Sequence, residues 1–197
     1  MIKIHDNLFD NKFINDLAYI MVEEIGWKAN NTAGPRRWPY GNAGPHRLLG
    51  ENIFLNYNWT DPYKNSSFID MHIHPNKKLV SDFFSAFEHI CASTNNDLIL
   101  NGISLNLQFM GMDGSWHNDG NDKQVAFILM VAYDEIRDGM GGGFAHRPSD
   151  TVVDFKNGRL IEMTASDEHK GLSFNVPDIP RFTIKWCGIK KGPWLKG

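Results

Sequence analysis

The clearest pattern in the chain is the alternation of apolar and polar residues in its C-terminal half. In residues 181–186, three large apolar side chains fall on one face, while Arg181 and Thr183 fall on the other. Residues 125–133 are almost wholly apolar, which is typical of a strand buried on both faces. From Leu98 onward the pattern therefore predicts strands, with further extended segments at residues 2–5, 53–58, 67–74, 152–155, 159–163 and 172–174.

Two segments in the N-terminal half instead repeat apolar residues at helical spacing. Asp10 can cap a helix that runs to about Ile25, with Phe13 and Leu17 on its apolar face. A second apolar stripe runs from Leu79 to Cys91. Two helices followed by many short antiparallel strands predict a mainly β, α+β fold, in which N-terminal helices pack on one sheet of a sandwich.

Length and composition narrow the class of protein. A chain of 197 residues with 42% hydrophobic residues predicts one domain, with helical support at about 10–95 and a β core at about 100–190. The net charge of -3 disfavours a nucleic-acid partner. No segment resembles a membrane span or signal peptide, and two isolated cysteines suit a reducing compartment, so we expect a cytoplasmic protein. The sequence indicates no oligomeric state.

Four residues in the C-terminal half have a spacing that suits metal chemistry. His117 and Asp119 are two positions apart, so they would point to one side of an extended segment. His169 could supply a third ligand from another strand. Two imidazoles and one carboxylate form the facial metal site of non-haem Fe(II) oxygenases. Arg181 could bind a carboxylate through two hydrogen bonds, and Thr183 on the same face could donate one more.

This ordered set resembles the 2-oxoglutarate/Fe(II)-dependent dioxygenases, in particular their prolyl-4-hydroxylase-like members of phage and bacterial type. The family motif is HxD, then a distal His, then an Arg or Lys about a dozen residues further on. These are His117-Asn118-Asp119, His169 and Arg181 here, and the likeness covers about residues 100–190. It implies a double-stranded β-helix (jelly roll) with Fe(II) at one open end, 2-oxoglutarate and O2 as co-substrates, and ascorbate as a possible reductant.

The resemblance also implies secondary contacts and a reaction. By parity, Asn106 and Gln108 should face the 2-oxoglutarate pocket beside Arg181 and Thr183, although Gln108 stands where the family often has Tyr. The implied reaction is hydroxylation of an unactivated C–H bond, with peptidyl proline as the leading substrate. A free amino acid or other small metabolite is an alternative, as is a non-catalytic jelly-roll module that binds metal or sugar. Nucleic-acid demethylation is disfavoured, because Cys187 stands where those enzymes carry a second Arg.

Other features are given simpler interpretations. His72 and His74 have no carboxylate companion beyond Asp70, so we assign them to an edge strand or loop. His146 precedes Arg147-Pro148 and is expected in a loop, where it could border the mouth of the site. Residues 30–50 and 134–149 are rich in turn formers and are candidate loops over the substrate.

Overall fold

The computed structural model describes residues 2–31, 48–61, 66–133 and 136–191, with the side chains of 29–31 and 56–72 outside the described part. The candidate loop at 30–50 therefore lies mostly outside the described residues. Helix α1 spans Asn11–Glu23 and α2 spans Lys77–Thr94. The strands are β1 (Lys3–His5), β2 (Lys28–Asn31), β3 (Leu48–Asp61), β4 (Ser66–Ile73), β5 (Leu98–Gln108), β6 (Gln124–Val131), β7 (Phe144–His146), β8 (Thr151–Val153), β9 (Leu160–Thr164), β10 (His169–Gly171) and β11 (Arg181–Lys190).

Both helices begin at a side-chain cap that the sequence supplies. The Asp10 carboxylate accepts a hydrogen bond from the backbone N–H of Phe13 at 2.7 Å, as expected from the sequence. Asn76 does the same for Leu79 at 3.1 Å. Such caps stabilise a helix by about 1 kcal/mol each. Helix α2 ends at Asn95, which adopts the left-handed conformation with φ of 55°.

The strands form one large and one small antiparallel sheet. The large sheet has the order β1-β9-β6-β11-β5-β3-β2, with β4 paired to β3, and the small sheet has the order β10-β7-β8. β11 lies in the middle of the large sheet and pairs along its length with both β5 and β6. Because residues alternate between the two faces of a strand, β11 exposes one set of side chains to each side of this sheet.

Two apolar clusters lie on opposite sides of the large sheet. The larger cluster packs both helices against Phe182, Ile184 and Trp186 of β11. The smaller cluster lies between the two sheets and includes Phe144 of the small sheet together with Cys187 of β11. The odd-numbered residues of β11 therefore face the space between the sheets. The prediction of a mainly β, α+β fold with helices on one sheet is confirmed; the single-domain assignment stays a prediction.

Two details of the prediction were wrong. The strand expected at residues 172–174 is instead β10, at His169–Gly171, and Phe174 makes only an isolated bridge to Gly141. His146, expected in a loop, is the last residue of β7 and is buried. Both errors have one cause. His146 pairs with His169 across the small sheet, and this register sets where β7 and β10 lie. Neither described helix combines the length and apolarity that a bilayer crossing requires.

Candidate metal and co-substrate site

Three candidate metal ligands converge at the edge of the small sheet. His117 forms an isolated bridge with His169, in which each backbone N–H donates to the other residue's carbonyl at 3.1 and 2.9 Å. The backbone N–H of Asp119 donates to Ala165 at 2.9 Å, which turns its carboxylate toward the two imidazoles. The ligand atoms of His117, Asp119 and His169 all lie within 4.8 Å of one another, the one such group in the described ranges.

Backbone carbonyls fix the orientation of both imidazoles. Nδ1 of His117 lies 2.8 Å from the Ser115 carbonyl, and Nδ1 of His169 lies 2.9 Å from the Asp167 carbonyl. A carbonyl only accepts, so each Nδ1 carries a proton, and in the neutral imidazole Nε2 then offers a lone pair. Nε2 of His169 lies 3.2 Å from Oδ2 of Asp119, and Nε2 of His117 lies 3.8 Å from Oδ1. Carbonyls in this position are the usual second layer of partners around a metal-binding His.

Two of the ligands, His117 and Asp119, are held in the protonation states that a metal requires. Burial lowers the pKa of His117 to about 4, with the neighbouring Asp119 acting in the opposite direction, so this imidazole is neutral at pH 7. Burial alone would raise the pKa of Asp119, but the positive charge of Lys185 beside it holds this pKa well below its usual range. A neutral imidazole and an ionised carboxylate need lose no proton on binding a cation.

One buried atom supports the fit of a metal ion to these three residues. Oδ2 of Asp119 is buried and has no hydrogen-bond partner among the described residues. An unsatisfied buried acceptor costs about 1–3 kcal/mol, and more when it is charged. A cation bound by the three residues would satisfy this oxygen. The set of two imidazoles and one carboxylate suits Fe(II).

Arg181 lies at the start of β11 in a fully enclosed position, with 1% of its surface exposed. Its Nη1 donates to the side-chain oxygen of Gln108 at 2.5 Å, and its Nε donates to the Gly142 carbonyl at 2.6 Å. Burial lowers its pKa to about 10, so the guanidinium remains charged at pH 7. A third partner, the Gly143 carbonyl at 3.4 Å from Nη2, is also neutral, and the charge of Asp113 offsets only part of the effect of burial on the pKa. A buried charge is costly when its counter-charge is incomplete. The environment of Arg181 is therefore suited to an anionic ligand.

The four residues predicted to bind the co-substrate form two neighbouring cross-strand pairs. Arg181 lies opposite Gln108 and Thr183 lies opposite Asn106, whose Nδ2 donates to the Thr183 hydroxyl at 3.3 Å. Gly171 connects these pairs to the metal ligands. A Cβ on Gly171 would lie 2.9 Å from the Gln108 side-chain oxygen and 3.1 Å from Nη1 of Arg181. β10 thus places His169 beside the other two metal ligands and, two residues later, places Gly171 against the guanidinium of Arg181.

Two residues of the site were not assigned from the sequence. Lys185 lies on the same face of β11 as Arg181 and Thr183, and its Nζ lies 2.5 Å from Oδ1 of Asp119. The same alternation of polar and apolar residues that identified Arg181 and Thr183 also places Lys185 on their face, so the sequence contained a signal for this residue. His146 lies behind the site, with Nε2 at 3.0 Å from the Asp167 carboxylate and Nδ1 at 2.7 Å from the Ser149 hydroxyl.

His72 and His74 were predicted to lie outside the metal site, and the structure describes the side chain of His74 alone. The imidazole of His74 accepts a hydrogen bond from the backbone of Asn76 at 3.2 Å, which agrees with its assignment outside the metal site. The side chain of His72 lies outside the described residues.

Comparisons of sequence give no match to any family model or curated protein. Comparisons of structure, in contrast, do give matches. A 2OG-Fe(II) oxygenase family oxidoreductase from Burkholderia pseudomallei matches 97% of this chain and 86% of its own, with 11% identity and a TM-score of 0.69. The chain has the fold of 2-oxoglutarate/Fe(II) oxygenases. The predicted double-stranded β-helix is therefore confirmed.

Two further solved structures show how broadly the fold is shared. The viral collagen prolyl hydroxylase from Paramecium Bursaria Chlorella virus-1, in its 2OG complex, covers 95% of this chain and 96% of its own, with 12% identity and a TM-score of 0.56. An alpha ketoglutarate dependent carbocyclase from nogalamycin biosynthesis covers 96% of this chain and 79% of its own, with 10% identity and a TM-score of 0.60. At these identities the likeness concerns the fold, and function must be argued from the site.

Proposed function

We propose that this chain is an Fe(II)- and 2-oxoglutarate-dependent dioxygenase that hydroxylates an unactivated C–H bond. The observation that carries the proposal is the convergence of His117, Asp119 and His169, in which the buried Oδ2 of Asp119 has no hydrogen-bond partner in the described structure. The fold shared with 2OG-Fe(II) oxygenases supports the same class of enzyme.

Each residue of the site has a defined task in this proposal. The three ligands hold Fe(II) through two Nε2 atoms and one carboxylate oxygen. Arg181 binds the distal carboxylate of 2-oxoglutarate, and the Thr183 hydroxyl assists it. Gln108 and Asn106 orient these two side chains from the neighbouring strand. When bound, iron with 2-oxoglutarate and O2 supplies an oxidative decarboxylation coupled to hydroxylation, and ascorbate would serve as a reductant that maintains Fe(II).

Burial is the second contribution of the protein. His169 and Arg181 are almost fully enclosed, and the carboxylate of Asp119 is nearly so. Excluding water strengthens the pairing of Arg181 with an anion, because interactions between charges grow as the local dielectric falls. The low pKa of His117 keeps this ligand from taking up a proton at neutral pH. The chain therefore fixes geometry and protonation, while the cofactor supplies the reaction.

Peptidyl proline is the leading substrate in the proposal. A viral collagen prolyl hydroxylase with matching fold over 95% of this chain supports it. A free amino acid or other small metabolite is the second candidate, since a carbocyclase of nogalamycin biosynthesis has the same fold. A nucleic-acid substrate is disfavoured by the net charge of -3.

A screen for succinate release tests the proposal. The protein with Fe(II), 2-oxoglutarate and ascorbate would be offered proline-rich peptides and, separately, free amino acids. We expect release stimulated by the peptides and abolished in Asp119→Ala. Stimulation by free amino acids alone would replace proline as the substrate class. Intact metal binding with no release on any substrate would instead favour a binding module without turnover.

A further inference from the structure

Lys185 places a second cation on the face of β11 that carries Arg181. The two residues are four positions apart on one strand, which separates them by roughly 13 Å along the strand. Arg181 lies near β10, whereas Lys185 lies against the carboxylate of Asp119, with its Nζ at 2.5 Å from Oδ1. The site therefore has one positive charge for the distal end of a co-substrate and another beside the metal ligands.

The two oxygens of Asp119 have different surroundings. Oδ1 accepts the hydrogen bond from Lys185, and Oδ2 has no hydrogen-bond partner in the described structure. Oδ2 also lies 3.2 Å from Nε2 of His169, whose lone pair faces the same point. The oxygen left for a cation is therefore Oδ2. Lys185 can retain its bond to Oδ1 while the other oxygen binds.

This contact changes the charge that an incoming ion meets. The carboxylate of Asp119 and the ammonium of Lys185 cancel, and both His ligands are held with a lone pair toward the site. A divalent cation then meets no net negative charge at the site, so the occupied centre has a net charge of +2. Without Lys185 this charge would be +1. Repulsion between Lys185 and the cation weakens the first step, the binding of the metal. Attraction between the more positive centre and a dianion strengthens the second step, the binding of the 2-oxo acid.

We propose that Lys185 sets the order and selectivity of binding at this site, by lowering the affinity for a divalent cation alone and raising the affinity of the metal-loaded protein for a dianionic 2-oxo acid. The inference rests on the proposed function. Lys185 is a positioning residue in this account, because it acts through Asp119 and through its charge. A purely structural lysine would have a different signature, since its loss would weaken both binding steps together.

Cobalt(II) is a suitable probe, because its binding can be followed by visible absorption without turnover. The wild-type protein and Lys185→Met would be titrated with Co(II) alone, and 2-oxoglutarate would then be titrated into each Co(II)-loaded protein by calorimetry. We expect Lys185→Met to bind Co(II) roughly tenfold tighter and 2-oxoglutarate at least tenfold more weakly, with the two changes opposite in sign. Lys185→Arg, which keeps the positive charge, should bind Co(II) and 2-oxoglutarate with the wild-type pattern, that is, weaker Co(II) binding and tighter 2-oxoglutarate binding than in Lys185→Met.

Lys190→Met is the matched control, because Lys190 lies on the same strand but is exposed, with Nζ at 3.4 Å from the Asp122 carbonyl. It should leave both affinities unchanged. Thermal unfolding of every variant, with Lys185→Gln as a second neutral replacement, would separate loss of fold from loss of charge. A fall in both affinities, or no change in either, would overturn the inference. Failure of the wild-type protein to bind Co(II) would instead overturn the proposed function.

Discussion

Replacing Arg181 by Met removes a buried guanidinium while keeping an unbranched side chain of similar reach. In the proposal this cation pairs with the distal carboxylate of 2-oxoglutarate in an enclosed site, with 1% of its surface exposed. Loss of one partner of a desolvated charge pair costs about 2–5 kcal/mol, so the affinity for 2-oxoglutarate should fall roughly 30-fold to several thousand-fold. Calorimetric titration of 2-oxoglutarate into the Co(II)-loaded protein measures this directly.

The same substitution leaves the Gln108 side-chain oxygen and the Gly142 carbonyl without their donor. Each unpaired acceptor costs about 1–3 kcal/mol of stability, partly offset because a buried charge is also removed. Binding of Co(II) at the wild-type affinity would show that the ligands remain in place. Arg159→Met is the control, because it removes a guanidinium whose partners, the Asp6 carboxylate and the Asp154 carbonyl, are not residues of the candidate site. Unchanged 2-oxoglutarate affinity in Arg181→Met, with intact Co(II) binding, would refute the role of this residue.

Three further predictions concern the metal ligands and their supports. Asp119→Ala, like His117→Ala, should abolish Fe(II) binding in a chelator competition while the protein stays folded by circular dichroism; retained affinity would refute the assignment. His146→Leu should weaken metal binding roughly 10- to 100-fold, because the carboxylate of Asp167 loses its bond to His146 and the Asp167 carbonyl orients the distal imidazole. Arg147→Ala, which removes the exposed pair with Glu168 and the contact with the Trp116 ring, is its control, and equal affinities in the two variants would contradict this link. Because the pKa of His117 is about 4 in the folded protein and 6.5 in the unfolded chain, the unfolded state takes up this proton first as pH falls. The free energy of unfolding of the metal-free protein should then drop by up to about 3 kcal/mol between pH 6.5 and 4, and urea unfolding at pH 7 and 5 should show a smaller drop in His117→Gln than in the wild type. An equal drop in both would contradict the assignment.

Alternation along single strands could be predicted from sequence because its cause is local. In β11 the period of two correctly separated Phe182, Ile184 and Trp186, which pack under the helices, from Arg181 and Thr183 on the other face. The same parity put Asn106 and Gln108 on the face of β5 that meets these side chains, and the contacts agree. The helix cap at Asp10 was predicted for the same reason, since its partner is three residues away.

Contacts that depend on the register between distant strands could not be predicted in this way. The apolar residues at 172 and 174 resembled a strand, but pairing of His169 with His146 places β10 three residues earlier. Lys185 was on the correct face, yet its partner Asp119 lies 66 residues away on a segment outside the large sheet. The acceptors of Arg181 include the Gly142 carbonyl from a turn between strands, for which no periodic pattern exists.

In the proposed function, one pocket binds Fe(II) through His117, Asp119 and His169 and 2-oxoglutarate through Arg181. Anaerobic addition of Fe(II) and 2-oxoglutarate to the wild-type protein, followed by visible absorption, tests it most directly. We expect a weak charge-transfer band that requires both additions, disappears in Asp119→Ala, and needs much more 2-oxoglutarate in Arg181→Met. No band at saturating concentrations of both, or an equal band in Asp119→Ala, would contradict the account.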